Sequence, residues 1–229
     1  RRRNVRRRRL PGRGGTVTAA FVPGHYEVWC DGAKVADVRG VSINRRAGNL
    51  FQPLSAGQMT AILDNMDGRY SPRNTSSPYT GLIRPDLQVR VRATFSGSTY
   101  NLFRGFIDTW TVKPALPGTR TAGFTARDRL KQLDDRTVTT SLLVATKINS
   151  FLKHMFDVAS VSTATYSVDM ITDESPFAWF RDRDLLGALQ EVIGAGFYSS
   201  YVAPDGILRV RSRYWDQIAN PVASLLATS

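Results

Sequence analysis

The chain has 229 residues, 42% hydrophobic and 22% charged, enough for one or two domains that bury roughly 70% of the unfolded surface without staples. Its single cysteine, Cys30, excludes an internal disulfide and a cysteine-based zinc site, and reads as a small apolar strand residue. The formal net charge of +12 invites a nucleic-acid reading, but eight arginines lie within the first thirteen residues, so the rest of the chain is only mildly basic.

Residues 1–15 read as a basic flexible arm, densest at Arg6, Arg7, Arg8 and Arg9. Such a segment is disordered alone and seeks an anionic surface. A neighbouring protein, DNA or another polyanion, and plain solvent all stay open as its surroundings. The apolar core of a signal peptide is missing after these arginines, and no run approaches the roughly 18 apolar residues of a membrane span, so a soluble protein made in the cytoplasm is expected.

Val17–Val22 is a first strand or an extended arm, ended by Pro23-Gly24. Tyr26–Cys30, Asp31-Gly32 and Lys34–Ile43 read as a hairpin, with Asp-Gly supplying positive φ. A loop over 44–57 leads to a strand at Gln58–Asp64. The polar stretch that follows reads as a structured, outward-facing loop. Asp64, Asn65 and Asp67 can bond their own backbone there, while Tyr70 and Tyr79 can pin the excursion onto the strands it joins. In the next strand Leu87, Val89, Val91, Ala93 and Phe95 face one way and Gln88, Arg90, Arg92 and Thr94 the other. Ser96-Gly97 turns it into Ser98–Trp110, and a strand near Thr119–Ala126 completes six or seven antiparallel strands. Residues 16–126 are thus expected to form a barrel or sandwich.

At Arg127 the period changes. Leu130 and Leu133 suggest a short helix, and Ile148, Phe151, Leu152, Met155, Phe156 and Ala159 fall on one helical face. Tyr166–Ile171 is a plausible strand. Asp182 or Asp184 caps a helix whose Leu185, Leu186, Leu189, Val192 and Ile193 point inward, with Gly194 and Gly196 at its end. Phe197–Val202, Ala203-Pro-Asp-Gly206 and Ile207–Arg213 form a hairpin. The fold class is therefore α+β, mainly β: a β-barrel or sandwich module, then a smaller α+β module over 127–213 with two helices and a terminal hairpin, and a tether at 214–229.

Catalytic chemistry finds little support. Only His25 and His154 are present, and no motif supplies them a partner. Gly-x-Ser-x-Gly, phosphate-loop and dinucleotide glycine patterns are all absent. Asn65, Asp67 and Gly68 match positions of a calcium loop, but Leu63 and Asn74 stand where carboxylates are required. Asp134, Asp135, Asp173, Glu174, Asp182 and Asp184 read as caps and solvated charge, and Asn74-Thr75-Ser76 as an accidental glycosylation match. No cofactor or metal is expected. Arg90 and Arg92, and again Arg209, Arg211 and Arg213, project from single faces as in nucleic-acid-binding sheets, but the opposite-face residues are aliphatic and no aromatic pair alternates with the arginines on the same face. Pairing with a neighbouring subunit's acids is an equal alternative.

Asp64-Asn-Met-Asp-Gly-Arg-Tyr-Ser-Pro72, Ser76-Ser-Pro-Tyr79, Leu87-Gln-Val-Arg-Val-Arg92 and Leu102-Phe-Arg-Gly-Phe-Ile-Asp108 follow one another in order, as do Asp184-Leu-Leu-Gly-Ala-Leu-Gln-Glu-Val192 and Asp205-Gly-Ile-Leu-Arg-Val210. This succession, covering most of residues 26–213, resembles the amino-terminal region of bacteriophage tail hub proteins, also labelled minor tail or tail-associated proteins. Met66 stands where that family more often has Arg. The resemblance implies a non-enzymatic virion protein at the distal end of a tail. Each chain would supply two tube modules, and three chains would close a ring joining the six-fold tube to a three-fold tip and lining the DNA exit. It implies a homotrimer with the distal tail protein, the tape measure protein and tip or fibre proteins as partners, and leaves room for transient DNA contact in the lumen. Interface candidates are Arg6, Arg7, Arg8 and Arg9 in the arm and Asp67, Arg69, Tyr70 and Tyr79 in the ordered loop. Three alternatives stand beside it: a distal tail protein in a six-subunit ring, a basic nucleic-acid-binding module, and a cell-wall hydrolase, of which no activity on peptidoglycan is expected from residues 1–229.

Overall fold

The computed structural model describes residues 26–45, 54–113 and 120–213. The expected arm, the Val17–Val22 strand, His25 and the 214–229 tether lie outside these residues. The first half is β1 (Tyr26–Cys30), β2 (Ala33–Lys34), β3 (Val38–Asn44), β4 (Gln58–Asp64), β5 (Gln88–Phe95), β6 (Ser98–Lys113) and β7 (Thr121–Arg127). They form one antiparallel sheet in the order β2-β1-β5-β6-β7-β4-β3. Period-2 patterning selects its inner face: Val28, Cys30, Ile43, Met59, Ala61, Leu63, Val89, Val91, Phe103, Ile107, Phe124 and Ala126 are buried, and their strand neighbours are not. Burial pushes the Cys30 thiol up to about 12, so it is an inert apolar residue as its sequence context suggests.

The strand order fixes the shape. β2 and β3 occupy opposite borders of the sheet, yet only Val35, Ala36 and Asp37 separate them in sequence. In a flat seven-stranded sheet the borders would stand about 29 Å apart, whereas the backbone from Lys34 to Val38 reaches at most about 14 Å. The sheet is therefore rolled until its borders meet. No ladder joins β2 to β3. Instead the Val35 N–H donates to the Val28 carbonyl at 2.9 Å and the Asp64 N–H to the Asp37 carbonyl at 2.9 Å, so the link is sewn to both borders. The sequence expectation of one strand over Lys34–Ile43 is corrected here: the strand breaks after Lys34, with Asp37 left-handed at φ 56°, because the chain must change borders. Phe95 also departs from its expected inward position. It is 74% exposed, because the β5–β6 ladder shifts register after Val91 and the hairpin end runs past the core.

The second half comprises α1 (Leu130–Asp134), β8 (Thr137–Val138), β9 (Leu143–Lys147), α2 (Ile148–Val158), β10 (Tyr166–Val168), β11 (Glu174–Ala178), β12 (Arg183–Asp184), α3 (Leu185–Gly196), β13 (Ser199–Val202) and β14 (Leu208–Arg211). A separate core forms from Phe151, Leu152, Met155 and Phe156 of α2, Leu185, Ala188, Leu189 and Ile193 of α3, and Leu208 and Val210 of β14. β14 pairs antiparallel with β13 and parallel with β10. Asp184, not Asp182, caps α3, its carboxylate accepting from the Gly187 N–H at 2.5 Å; Asp182 accepts from the Thr139 hydroxyl at 3.0 Å. The left-handed residue closing α3 is Phe197, at φ 56°, in place of the expected glycine. Gly196 serves a different end, since a Cβ there would fall 2.0 Å from the Tyr198 ring.

Asp128 joins the halves. Its buried carboxylate accepts from the Gly57 N–H at 2.7 Å and the Leu130 N–H at 3.0 Å. Nearby, the Gln190 amide donates to the Leu54 carbonyl at 2.8 Å. Burial outweighs the two N–H donors and lifts the Asp128 carboxyl from 3.8 to about 6. The folded chain thus holds a proton that the unfolded chain releases between pH 3.8 and about 6. Stability accordingly falls as pH rises through that window, by roughly 3 kcal/mol in total, and does not change on this account above it. In Asp128→Asn this decline is expected to vanish. Urea unfolding of both chains from pH 4 to 7 checks it through the difference in slope, independently of any constant loss from placing an amide against the Gly57 N–H.

Candidate assembly interface

The loop from Asn65 to Asp86 is built from local hydrogen bonds. The N–H groups of Gly68, Ser71, Asn74, Ser77 and Thr80 each donate to the carbonyl three residues back, at 2.9–3.2 Å, so the chain advances as a string of turns. Asp64 and Asp67 accept from the N–H two residues on, as their short carboxylate side chains favour. Buried Asn65 accepts from the Tyr70 N–H at 2.9 Å, which turns the Tyr70 ring inward.

Both loop tyrosines end at the seam of the rolled sheet. The Tyr70 hydroxyl donates to the Ala36 carbonyl at 2.6 Å, and the Ala36 N–H donates to the Tyr79 hydroxyl at 3.2 Å. Ala36 belongs to no ladder, so these hydroxyls satisfy backbone groups that would otherwise be lost to water or left unpaired. The two rings stack at 4.7 Å, and the contact continues through Trp110, 6.5 Å from Tyr70, to Phe124, 4.8 Å from Trp110. Burial and the neighbouring Tyr79 raise the Tyr70 hydroxyl above its ordinary range. Outside the stack, the Arg69 guanidinium bridges Asp67 and Asp37 at 2.5 Å each, tying the loop to the residue that turns the link.

The structure thus gathers Asp67, Arg69, Tyr70 and Tyr79 into one cluster, while Arg6–Arg9 lie outside the described residues. Within the cluster only Asp67, Arg69 and Tyr79 reach the surface. Tyr70 is 1% exposed and holds the sheet closed from within.

A second surface carries no signal that the sequence reading used. β9 and β11 form a two-stranded ribbon with no further ladder among the described residues. Opposed Val144 and Phe177 are 62% and 60% exposed, and Trp179 beside them 58%. An open groove of about 820 Å³ runs from this ribbon to α3, with Phe151 and Tyr198 in its floor and Arg181, Arg183 and Glu191 on its rim. The signal was the uncharged run Ser175-Pro-Phe-Ala-Trp-Phe180, which alternates too poorly to read as a half-buried strand. A third feature is the β5–β6 tip, where residues 94–101 are exposed on both faces and carry Phe95 and Tyr100 into solvent.

Asp173 accepts from the Tyr198 hydroxyl at 2.7 Å, His154 Nε2 makes no hydrogen bond, and no group of three His, Cys, Asp or Glu among the described residues could hold a metal ion. Among the same residues no helix is long and apolar enough to cross a membrane.

No family model and no curated protein matches this chain in sequence. Solved structures do match in fold. The 43 kDa tail protein of prophage MuSo2 from Shewanella oneidensis superposes with a TM-score of 0.58 at 12% identity, over 82% of this chain and 54% of its own. The tail protein from Neisseria meningitidis MC58 gives 0.56 at 12% identity, over 81% and 49%. Prophage tail protein gp18 from Listeria monocytogenes gives 0.52 at 7% identity, over 83% and 51%. The chain therefore has a fold found in phage tail proteins and spans about half the length of these three.

Removing either tyrosine hydroxyl is expected to weaken the seam by about 1–3 kcal/mol, because a backbone partner on Ala36 is stranded. Tyr70→Phe should lower the urea midpoint more than Tyr79→Phe, its bond being shorter and more buried. An unchanged midpoint in both would remove the seam from the account of stability.

Proposed function

We propose that this chain is a structural, non-enzymatic component of a phage tail, and within the tail a hub. Copies of it form a ring, three by the family resemblance, that joins the six-fold tube to a three-fold tip and surrounds the path of the DNA. The observation that carries this reading is the fold shared with three phage tail proteins, on which an apolar ribbon with free ladder edges is left uncovered.

The physical argument concerns what such a ribbon needs. An isolated two-stranded ribbon is marginal in water, and one that shows Val144, Phe177 and Trp179 to solvent is stabilised by whatever covers it. In a ring every subunit presents one surface to the copy ahead and a different one to the copy behind. The ribbon with its groove and the β5–β6 tip lie on different cores of this chain and could serve as two such surfaces. The loop cluster at Asp67, Arg69 and Tyr79, and the arm at Arg6–Arg9, are then surfaces for the distal tail protein, the tape measure protein or tip and fibre proteins. Localisation at the distal end of the virion tail follows from the same reading.

Native mass measurement with particle imaging tests it. Closed rings of three subunits are expected; rings of six would favour a distal tail protein; a monomer at tens of micromolar would overturn the ring. The paired change Phe177→Ser and Trp179→Ser is expected to shift rings to monomers while leaving the melting temperature within a few degrees, since both side chains already face solvent. Rings that persist unchanged in this variant would move the contact elsewhere.

A further inference from the structure

On the outer face of β1, β5 and β6, the register sets Trp29 opposite Arg90 and Arg90 opposite Arg104. Arg92 lies two residues along β5, with its guanidinium 6.0 Å from the centre of the Trp29 ring. Arg129 covers Phe106 at 5.8 Å. Like charges directly opposite on neighbouring strands are destabilising, so an Arg–Arg pair at this position calls for a counter-charge.

Among the described residues no carboxylate forms an ion pair with Arg90, Arg92, Arg104 or Arg129, and only the longer-range attraction of Glu27 for Arg92 and of Asp205 for Arg104 offsets their charge. Arg90 bonds only the Gln88 amide oxygen, Arg104 meets that same oxygen and the Asp205 backbone carbonyl, and Arg129 meets the Gly206 carbonyl. Arg104 Nε is buried and makes no hydrogen bond. Every nearby carboxylate is engaged elsewhere: Glu27 by Lys34 at 2.6 Å, Asp108 by Lys131 at 2.7 Å, and Asp205 by Arg209 at 2.8 Å. The contrast within the molecule is sharp. On the hairpin near the carboxyl end, Arg209, Arg211 and Arg213 each hold an aspartate. The set also repels itself: burial and the neighbouring Arg90 lower Arg104, which Asp205 only partly offsets, and burial and Arg104 lower Arg129. Between Trp29, Gln88, Arg90 and Arg92 an opening of about 240 Å³ leaves room for an anion.

We propose that Arg90, Arg92 and Arg104 form a binding face for the phosphate groups of a nucleic-acid strand. Planar guanidinium groups match phosphate oxygens in pairs, and Arg90 and Arg92 stand about 6.6 Å apart along β5, on the scale of neighbouring phosphates in a strand. A guanidinium already lies over each of the adjacent rings, Trp29 and Phe106, and competes with base stacking there. The contact is with the backbone and independent of sequence. It stands whether or not the chain assembles into a ring.

The test is fluorescence anisotropy of a labelled 20-nucleotide single strand with the full chain, at 50 and 200 mM salt. Arg90→Gln with Arg92→Gln is the informative variant, because Arg104, which also bonds the Asp205 carbonyl, is left in place. A second variant, Arg6, Arg7, Arg8 and Arg9→Ser, reports the arm. The first variant is expected to lose on the order of tenfold or more in affinity at the lower salt, and its salt slope to fall by about 1.4, the share of two phosphate contacts. Affinity lost only in the arm variant would overturn the proposal, as would no binding by the unaltered chain. Saturable binding of inorganic phosphate without binding of the strand would assign the face to a free anion, and tighter binding of polyglutamate than of DNA would assign it to an acidic protein; either result also overturns it.

Discussion

Ala36 is the residue on which the rolled sheet depends. It lies in the three-residue link between two strands at opposite borders, belongs to no ladder, and has its donor and acceptor taken by Tyr79 and Tyr70. A closed ladder would satisfy a seam with backbone alone. Here side chains from a loop some 35–45 residues further along do it, so the loop cannot be regarded as an ornament on the sheet. The aromatic contact from Tyr79 through Tyr70 and Trp110 to Phe124 then connects the surface of that loop to the buried core. Closure also positions the outer surface of this loop, because Asp67, Arg69 and Tyr79 are held by the same contacts that seal the sheet.

What could be read in the sequence was what short-range periodicity decides. Val89 and Val91 in β5, Leu208 and Val210 in β14, and the Phe151–Phe156 face of α2 are buried where alternation and helical spacing put them. Asp31-Gly32 turns where expected, and Asp184 is the one of the two capping candidates that caps, because each acts within a few residues of itself. The departures share a cause: each depended on something distant in the chain. Lys34–Ile43 breaks because its two ends belong to opposite borders, and Phe95 leaves the core because a register shift carries the hairpin past it. Phe197 takes the left-handed position because Gly196 is committed to making space for Tyr198.

The candidate surfaces divide the same way. Tyr70 and Tyr79 were legible as residues that pin a loop, but the group they pin, Ala36, was not. The ribbon with Phe177 and Trp179 gave no alternation to read, since its apolar side chains face solvent as well as the core. No aromatic residue was expected on the face of the Arg90 and Arg92 stripe; Trp29 supplies one from the next strand, which only the register reveals. Sequence thus located the chemistry of these surfaces better than their geometry.

The β5–β6 tip has a bearing on how such chains can diverge. Because residues 94–101 meet solvent on both faces, the hairpin can grow or shrink there without opening a void. Matched additions on the two strands keep each side chain on its original face, whereas a single added residue would turn over everything beyond it. Length changes at that end are therefore accommodated in even steps, and the reach of the hairpin can change while the rolled sheet beneath it stays the same.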